Sequence, residues 1–231
     1  MNWATGRVLA IVTAFTFLPA SELHAQQIWK WSGQIGAASE GVSKDVAETA
    51  GRGQLRGAVE AAYGPVFLGA SLRNLHEGPD VDSQQEYVLG TRGKLAGFDL
   101  SFSGGYKIKG NAPSGFDANF VEFEGTIART LSSGTTLRLT DVYTADAPGP
   151  ARRDNFLEFG VAQVIDKHWS VSGAVAARTI TPKSDYTGMN IGVSYALRPK
   201  TSIDLRYYDT NQHDFGNDFK SRLVVAVTQG F

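Results

Sequence analysis

Alternation of apolar and polar residues, sustained through most of the chain, constrains the fold more than any other feature. In "GFDLSFSGGYKIKG", Phe98, Leu100, Phe102, Tyr106 and Ile108 share one parity, and Asp99, Ser101, Ser103, Lys107 and Lys109 the other. Leu55, Val59 and Tyr63 likewise oppose Arg52, Gln54, Arg56 and Glu60, while Tyr87, Leu89 and Leu95 oppose Glu86, Arg92 and Lys94. Successive side chains of a strand point to opposite faces, so each segment reads as a strand with one apolar and one polar face. About twelve such segments follow one another, each roughly 10 to 13 residues long, the length of a membrane-crossing strand. They lie near 28–39, 52–63, 65–75, 83–95, 97–110, 118–129, 135–144, 154–164, 168–179, 186–197, 201–210 and 220–231.

The links between segments alternate as regularly as the residues. "YGP", "LAG", "TLSSG", "IDKH" and "LRPK" are short; "EGVSKDVAETAG", "HEGPDVDS", "NAPSGFD", "ADAPGPARRD", "TPKSD" and "TNQHDFGND" are longer and rich in Pro, Gly, Asp and Asn. Outer-membrane barrels have short periplasmic turns and longer external loops. A β-sandwich or lipocalin-like barrel also uses alternating strands, but twelve strands enclose more space than these polar-face residues could fill as an apolar core. The apolar face is therefore expected to meet lipid and the charged face to line a lumen. Aromatic placement agrees. Trp29, Tyr63, Phe98, Trp169, Tyr195 and Phe231 fall near the short-turn end on the apolar parity, as membrane-interface residues; Tyr87, Tyr106, Tyr143 and Tyr207 fall towards the long-loop end.

Composition excludes several functions. With 22 Lys and Arg against 23 Asp and Glu, net charge points neither to nucleic acid nor to an anionic surface as partner. The chain has no cysteine, which removes disulfides and thiol chemistry. Residues 1–25 read as a cleaved signal peptide: Arg7, the apolar run from Val8 to Leu18, then Pro19 and Ala25 as the cleavage residue, with Ala20 or Ser21 as alternatives. That run is too short for a membrane-spanning helix, which needs about 20 apolar residues. The remainder, 26–231, is expected to be one outer-membrane barrel domain.

In hydrocarbon an open sheet edge is too costly, so "IWKWSGQIGA" and "RLVVAVTQGF" are expected to pair and close the barrel. "WSGQIGAASEGVSKDVAETAGRGQLRGAVEAAYGPVFLGASLRNL" resembles the opening of the TorF-type porin family, with "LGASLRNL" matching a "GxxxSN"-like stretch in which Arg73 shifts Asn74 by one place. "DYTGMNIGVSYALRPKTSIDLRYYDTN" followed by "RLVVAVTQGF" is similar to the family's C-terminal half. The family's "YxxRG" text after the first strand is missing; "EGVSKD" stands there instead. The resemblance implies a barrel and porin-like transport. The terminal Phe231 also resembles the signature by which the barrel assembly machinery recognises its clients.

Parity sends Arg56, Glu60, Arg73, Glu86, Arg92, Lys107, Glu122, Glu124, Arg138, Glu158, Arg178, Asp204, Arg206 and Arg222 inwards as pore-lining residues, joined by Arg52, Lys94, Asp99 and Lys109. Basic residues outnumber acidic ones in that set, which leans towards anions because charge rings set pore selectivity. The opposing expectation is that these charges pair and plug the lumen, whose backbone radius is roughly 12 Å. One strand breaks the alternation. In "TTLRLTDVYTAD", Leu137 and Leu139 would carry Asp141 into lipid, so a bulge near Thr140 is expected to turn Asp141 inwards and Val142 outwards.

Enzymatic readings are weak. His76 and His213 lie in long loops and His168 at a short turn, with no Ser/His/Asn constellation around them. Asp209, Asp214 and Asp218 share an acidic loop without the spacing of a dedicated calcium site. No catalytic residue, cofactor or metal is expected. The expected partners are outer-membrane lipids, the assembly machinery and small solutes. The sequence thus describes an outer-membrane channel for small hydrophilic solutes. The alternatives are a closed barrel with a structural or loop-mediated binding role, or an outer-membrane hydrolase.

Overall fold

A computed structural model describes residues 28–77, 80–148, 152–181 and 185–231; the expected signal peptide lies outside them. The strands are β1 (Lys30–Ala38), β2 (Val42–Ser43), β3 (Val46–Ala47), β4 (Gln54–Tyr63), β5 (Val66–Glu77), β6 (Val81–Leu95) and β7 (Phe98–Gly110). They continue as β8 (Asn119–Thr130), β9 (Thr135–Thr144), β10 (Arg153–Val164), β11 (Trp169–Thr181), β12 (Tyr186–Arg198), β13 (Thr201–Thr210) and β14 (Arg222–Gly230). All except β2 and β3 form one closed antiparallel barrel of twelve strands, each paired with its neighbours in sequence, with β14 meeting β1. Gln34 faces Gly230 and Ala38 faces Ala226 across that seam. Phe231 and Gly33 exchange backbone hydrogen bonds of 3.0 and 3.3 Å at its end. The expected closure is thereby made, and the sheet has no free edge among the described residues.

The two parities occupy opposite faces. Ile35, Leu68, Phe102, Ile127, Val175, Ile191, Leu223 and Val225 are exposed on the outer wall. So much contiguous exposed apolar surface suits hydrocarbon rather than water. At the short-turn end Trp29 packs at a tilt against Tyr63 (5.4 Å between rings) and Trp169 against Tyr195 (4.7 Å). The Arg129 guanidinium lies over Phe98, and Phe231 covers the bare face of Gly33. Tyr87 and Tyr106 sit side by side in register nearer the other end. The β6–β7 turn is set by Ala96 and Gly97, both at positive φ, as a two-residue hairpin of matching twist requires.

Two expectations fail. β9 pairs with β8 and β10 without a register shift, so there is no bulge at Thr140. Asp141 faces outwards, where Asn155 Nδ2 donates to it at 2.7 Å. Val142 points inwards and packs with Phe156 and Ala176 in a small apolar cluster. Unbroken ladder bonds on both sides and this packing hold the regular register. An amide on the neighbouring strand meets the outward carboxylate, two residues from Tyr143. Arg52 is the second correction: it lies before β4, exposed, near His76 Nδ1 at 3.5 Å, and is not part of the inner wall.

Candidate functional site: the barrel lumen

The inner wall is a lattice of charge. Arg92 is held by Glu60, Lys107 bridges Glu86 and Glu122, and Arg138 reaches Glu158 at 2.8 Å. Arg206, almost fully buried, is bound to Asp204, to Asn190 Oδ1 at 2.8 Å and to Ser172 Oγ at 2.8 Å. Gly192 opposite leaves room for that guanidinium, because a Cβ there would stand 2.8 Å from its Cζ. Arg178 holds Asp154 through Nε (2.8 Å) and Nη2 (2.7 Å), a two-point contact of the kind that fixes geometry as well as charge. Towards the two rims, Lys109 pairs with Glu77 and Lys94 with Asp99.

The lumen is not empty. The link between β1 and β4, residues 39–53, turns inwards instead of standing above the barrel. Its core is the β2–β3 hairpin, with Val42 paired to Ala47 and Ser43 to Val46. Lys44 and Asp45 form the tip, both at positive φ. That conformation costs roughly 1–2 kcal/mol per non-glycine residue, so the contacts of the tip must offset it. Lys44 Nζ lies 2.9 Å from Glu122 and 3.0 Å from Asp154, and its carbonyl accepts the Tyr186 hydroxyl. Asp45 accepts from Asn190 Nδ2 at 2.9 Å and lies against Gly188, where any side chain would collide with it. Lower in the loop, Glu48 holds Arg73 at 2.9 Å and its carbonyl accepts the His76 N–H. Glu40 holds Arg222 at 2.6 Å, and the fully buried Thr49 accepts from Gly41 N at 2.8 Å.

The distance this loop covers follows from strand order. Six strands, β4 to β9, lie on one side between its root and the β9–β10 seam; six, β10 to β14 and β1, lie on the other. The seam is diametrically opposite the root. Lys44 touches β8 and β10, which flank β9, so the tip rests on the far wall. The β13–β14 loop roofs this arrangement, with Phe219 packing edge-on against Tyr186 at 5.5 Å. Burial pushes the Asp45 carboxyl up to about 6, against the hydrogen bond from Asn190; the Glu158 charge adds to the rise and Arg206 opposes it. Its Oδ2 is buried without a partner among the described residues.

A cavity of about 200 Å³ is bounded by the loop and the inner wall. Of the residues read as inward by parity, it brings together Arg56, Arg73, Glu86, Arg92, Lys107, Glu122, Glu124, Arg138, Glu158 and Asp204. Glu60 sits behind Arg92, Arg178 and Arg206 are inward but outside the cavity, and Arg222 stands at the loop end beside Glu40. Asp154, Tyr186 and Asn190 were not named from the sequence, although Asp154 shares the parity of Glu158 and Tyr186 and Asn190 oppose the outward Ile191; Glu77 and every loop residue were not named either. The loop adds Glu40, Asp45 and Glu48, which offset the cationic excess of the strands. One signal for it was available: Val42 and Ser43 stand opposite Ala47 and Val46 about the two-residue centre Lys44–Asp45, with apolar residues that a solvated loop does not need.

The histidines stand apart from this lattice. His168 Nδ1 lies 2.9 Å from the Ala196 carbonyl, and His213 Nε2 lies 2.7 Å from Asp209 on the exposed surface. No cluster of three metal-ligating side chains occurs among the described residues.

No protein-family model matches the chain, and no curated protein matches it either. Solved structures do. The KdgM porin superposes with a TM-score of 0.61 at 11% identity, covering 87% of this chain and 99% of its own. The NanC porin gives 0.59 at 8% identity, covering 87% and 99%. The COG4313 outer membrane channel from Pseudomonas putida F1 gives 0.55 at 10%, covering 93% and 100%. At such identities the likeness concerns the fold: a closed antiparallel barrel shared with outer-membrane porins and channels.

Proposed function

We propose that the protein is an outer-membrane, porin-like channel for passive passage of small hydrophilic solutes, constricted by its own first loop. The observation that carries this reading is the inverted barrel: apolar residues outside and a charged, loop-crossed lumen inside. A globular barrel has the opposite distribution. The porin-like neighbours support the same reading, as does the resemblance to the TorF-type family. Export through the N-terminal signal, assembly through the strand ending at Phe231, and girdles of Trp, Tyr and Phe at the membrane interfaces belong to this proposal. The lean towards anions now rests on Arg56, an inward cation without a carboxylate in ion-pair range among the described residues, rather than on total charge.

Planar-bilayer recording of the refolded protein tests the channel. Reproducible single-channel steps are expected. Silence from a barrel with intact β-structure would favour a closed barrel working through its loops. The anchoring of Lys44 on the far wall gives that second reading its own support. Recording the Lys44→Ala variant separates the two: a latched channel conducts once released, and a solid plug does not.

A further inference from the structure

Of the carboxylates that parity sends inwards, Glu60, Glu86, Glu122, Glu158 and Asp204 each hold a cation of the wall. Glu124 does not. It accepts a single hydrogen bond, from Thr126 Oγ1 at 3.5 Å, and has no cationic side chain within ion-pair range among the described residues. Lys107 and Arg138, the cations closest along the wall, are taken up by Glu86, Glu122 and Glu158. The neighbours of Glu124 also differ from the charged lattice. Ser103 of β7 and Val142 of β9 are its partners in register, and Phe156 of β10 follows Val142 in the same row. Cβ atoms of such partners stand roughly 4.5–5.5 Å apart, so Val142 touches the space in front of the carboxylate. Val142 and Phe156 pack together with Ala176. Beyond Ser103 the row ends on the Phe67 ring, laid over the bare face of Gly90. Glu124, Ser103, Val142, Phe156 and Phe67 all border the cavity of about 200 Å³.

An acceptor of full charge set among apolar side chains in a confined space matches an organic ammonium. The head gains a charge-assisted hydrogen bond, and the hydrocarbon body covers the apolar neighbours. A bare metal cation gains less, because Val142 and Phe156 cannot replace the hydration it gives up. We propose that Glu124 is a binding step for a small amine, with the ammonium on the Glu124 carboxylate beside Ser103 and the hydrocarbon body against Val142 and Phe156. This names a solute class for the channel, and passage of the amine rests on that reading; the binding itself does not. Arg56 stands on β4, four strands from β8, so its pull on simple anions acts at another part of the wall.

Calorimetric titration of the whole refolded barrel in uncharged micelles tests the site without requiring conduction, with the heat of empty micelles subtracted. The probe is butylammonium at about pH 8, above the ordinary carboxylate range and below that of an alkylamine. Sodium and 1-butanol are the controls, one a charge without a hydrocarbon body and the other a body without a charge. Saturable butylammonium binding is expected, weakened about tenfold or more in Glu124→Gln and by less in Glu124→Asp, which keeps the charge. No saturable heat, or equal affinity in Glu124→Gln, overturns the proposal. Should the glutamine variant fail to fold, the wild type decides: butanol or sodium binding as tightly as butylammonium overturns the proposal, and binding about tenfold weaker upholds it. Bilayer recordings then separate the two ideas. A silent barrel that still binds butylammonium through Glu124 refutes the channel and keeps the site; a conducting barrel whose amine affinity ignores Glu124→Gln does the reverse.

Discussion

The far and near walls of the lumen carry similar side chains and treat them differently. On the far wall, around β8, β10 and β12, Lys44 from the loop drops between Glu122 and Asp154, and Arg178, Asn190 and Tyr186 complete the lattice. On the near wall, under the root of the same loop, Arg56 and Arg73 are partners in register, and only Arg73 meets a carboxylate, Glu48. A buried charge is tolerable only when paired and hydrogen-bonded. Around Glu122 and Asp154 the far wall meets that condition, with Lys107 and Arg178 joined there by Lys44 of the loop. On the near wall Arg56 has no such partner among the described residues. Both walls border the cavity.

The largest expected effect comes from breaking the far wall. Asp154→Ala leaves Arg178 without a carboxylate and Lys44 with Glu122 alone, and a loss of about 3–5 kcal/mol is expected, read from urea unfolding of the refolded barrel by tryptophan fluorescence. Arg56→Gln on the near wall is the counterpart. It removes a like-charge neighbour, so stability should hold or rise by roughly 0.2–1 kcal/mol. Equal losses from the two variants would erase the distinction between the walls.

A second expectation concerns the tether. Lys44→Met keeps the length of the stem and removes the charge that binds Glu122 and Asp154. Single-channel current should rise roughly twofold as the tip leaves the far wall, since conductance follows the narrowest polar constriction. Unchanged current would make the loop a passive filler.

The smallest expected effect is the pH response of that tether. Asp45 belongs to the loop, and docking raises its carboxyl from 3.8 to about 6. The docked form therefore holds the proton more tightly than a released one. Docking is strongest below about 4 and weakens as pH rises through 6. Current should accordingly be lower in acid than at neutral pH. Asp45→Asn, which keeps the hydrogen-bonding shape without the charge, should flatten this dependence. A wild-type current that falls as pH rises would reverse the assigned sign.

The barrel was legible because its information is local. Alternation in "GFDLSFSGGYKIKG" and "RLVVAVTQGF" requires only that neighbouring residues point to opposite faces, and both segments are strands of the expected parity. Asp141 was misread because a single costly residue was allowed to outweigh the ladder. Asn155 on the next strand and the inward packing of Val142 supplied the answer, and neither can be weighed without the register. The path of the first loop was hidden for a similar reason. Lys44 meets Glu122 and Asp154, 78 and 110 residues further along the chain. Nothing in "EGVSKDVAETAG" identifies those two as its partners.

By itself the sequence determined the wall: the number of its strands, the face that most side chains take and the pairing of its two ends. A period of two assigns faces without reference to the rest of the molecule. Only the tertiary structure decided which charges meet, which loop enters the lumen and which arginine is left without a carboxylate. Those outcomes depend on how closure rotates strands distant in sequence to opposite sides of one enclosed space. There, charges are paired by proximity across the lumen, which no local pattern encodes.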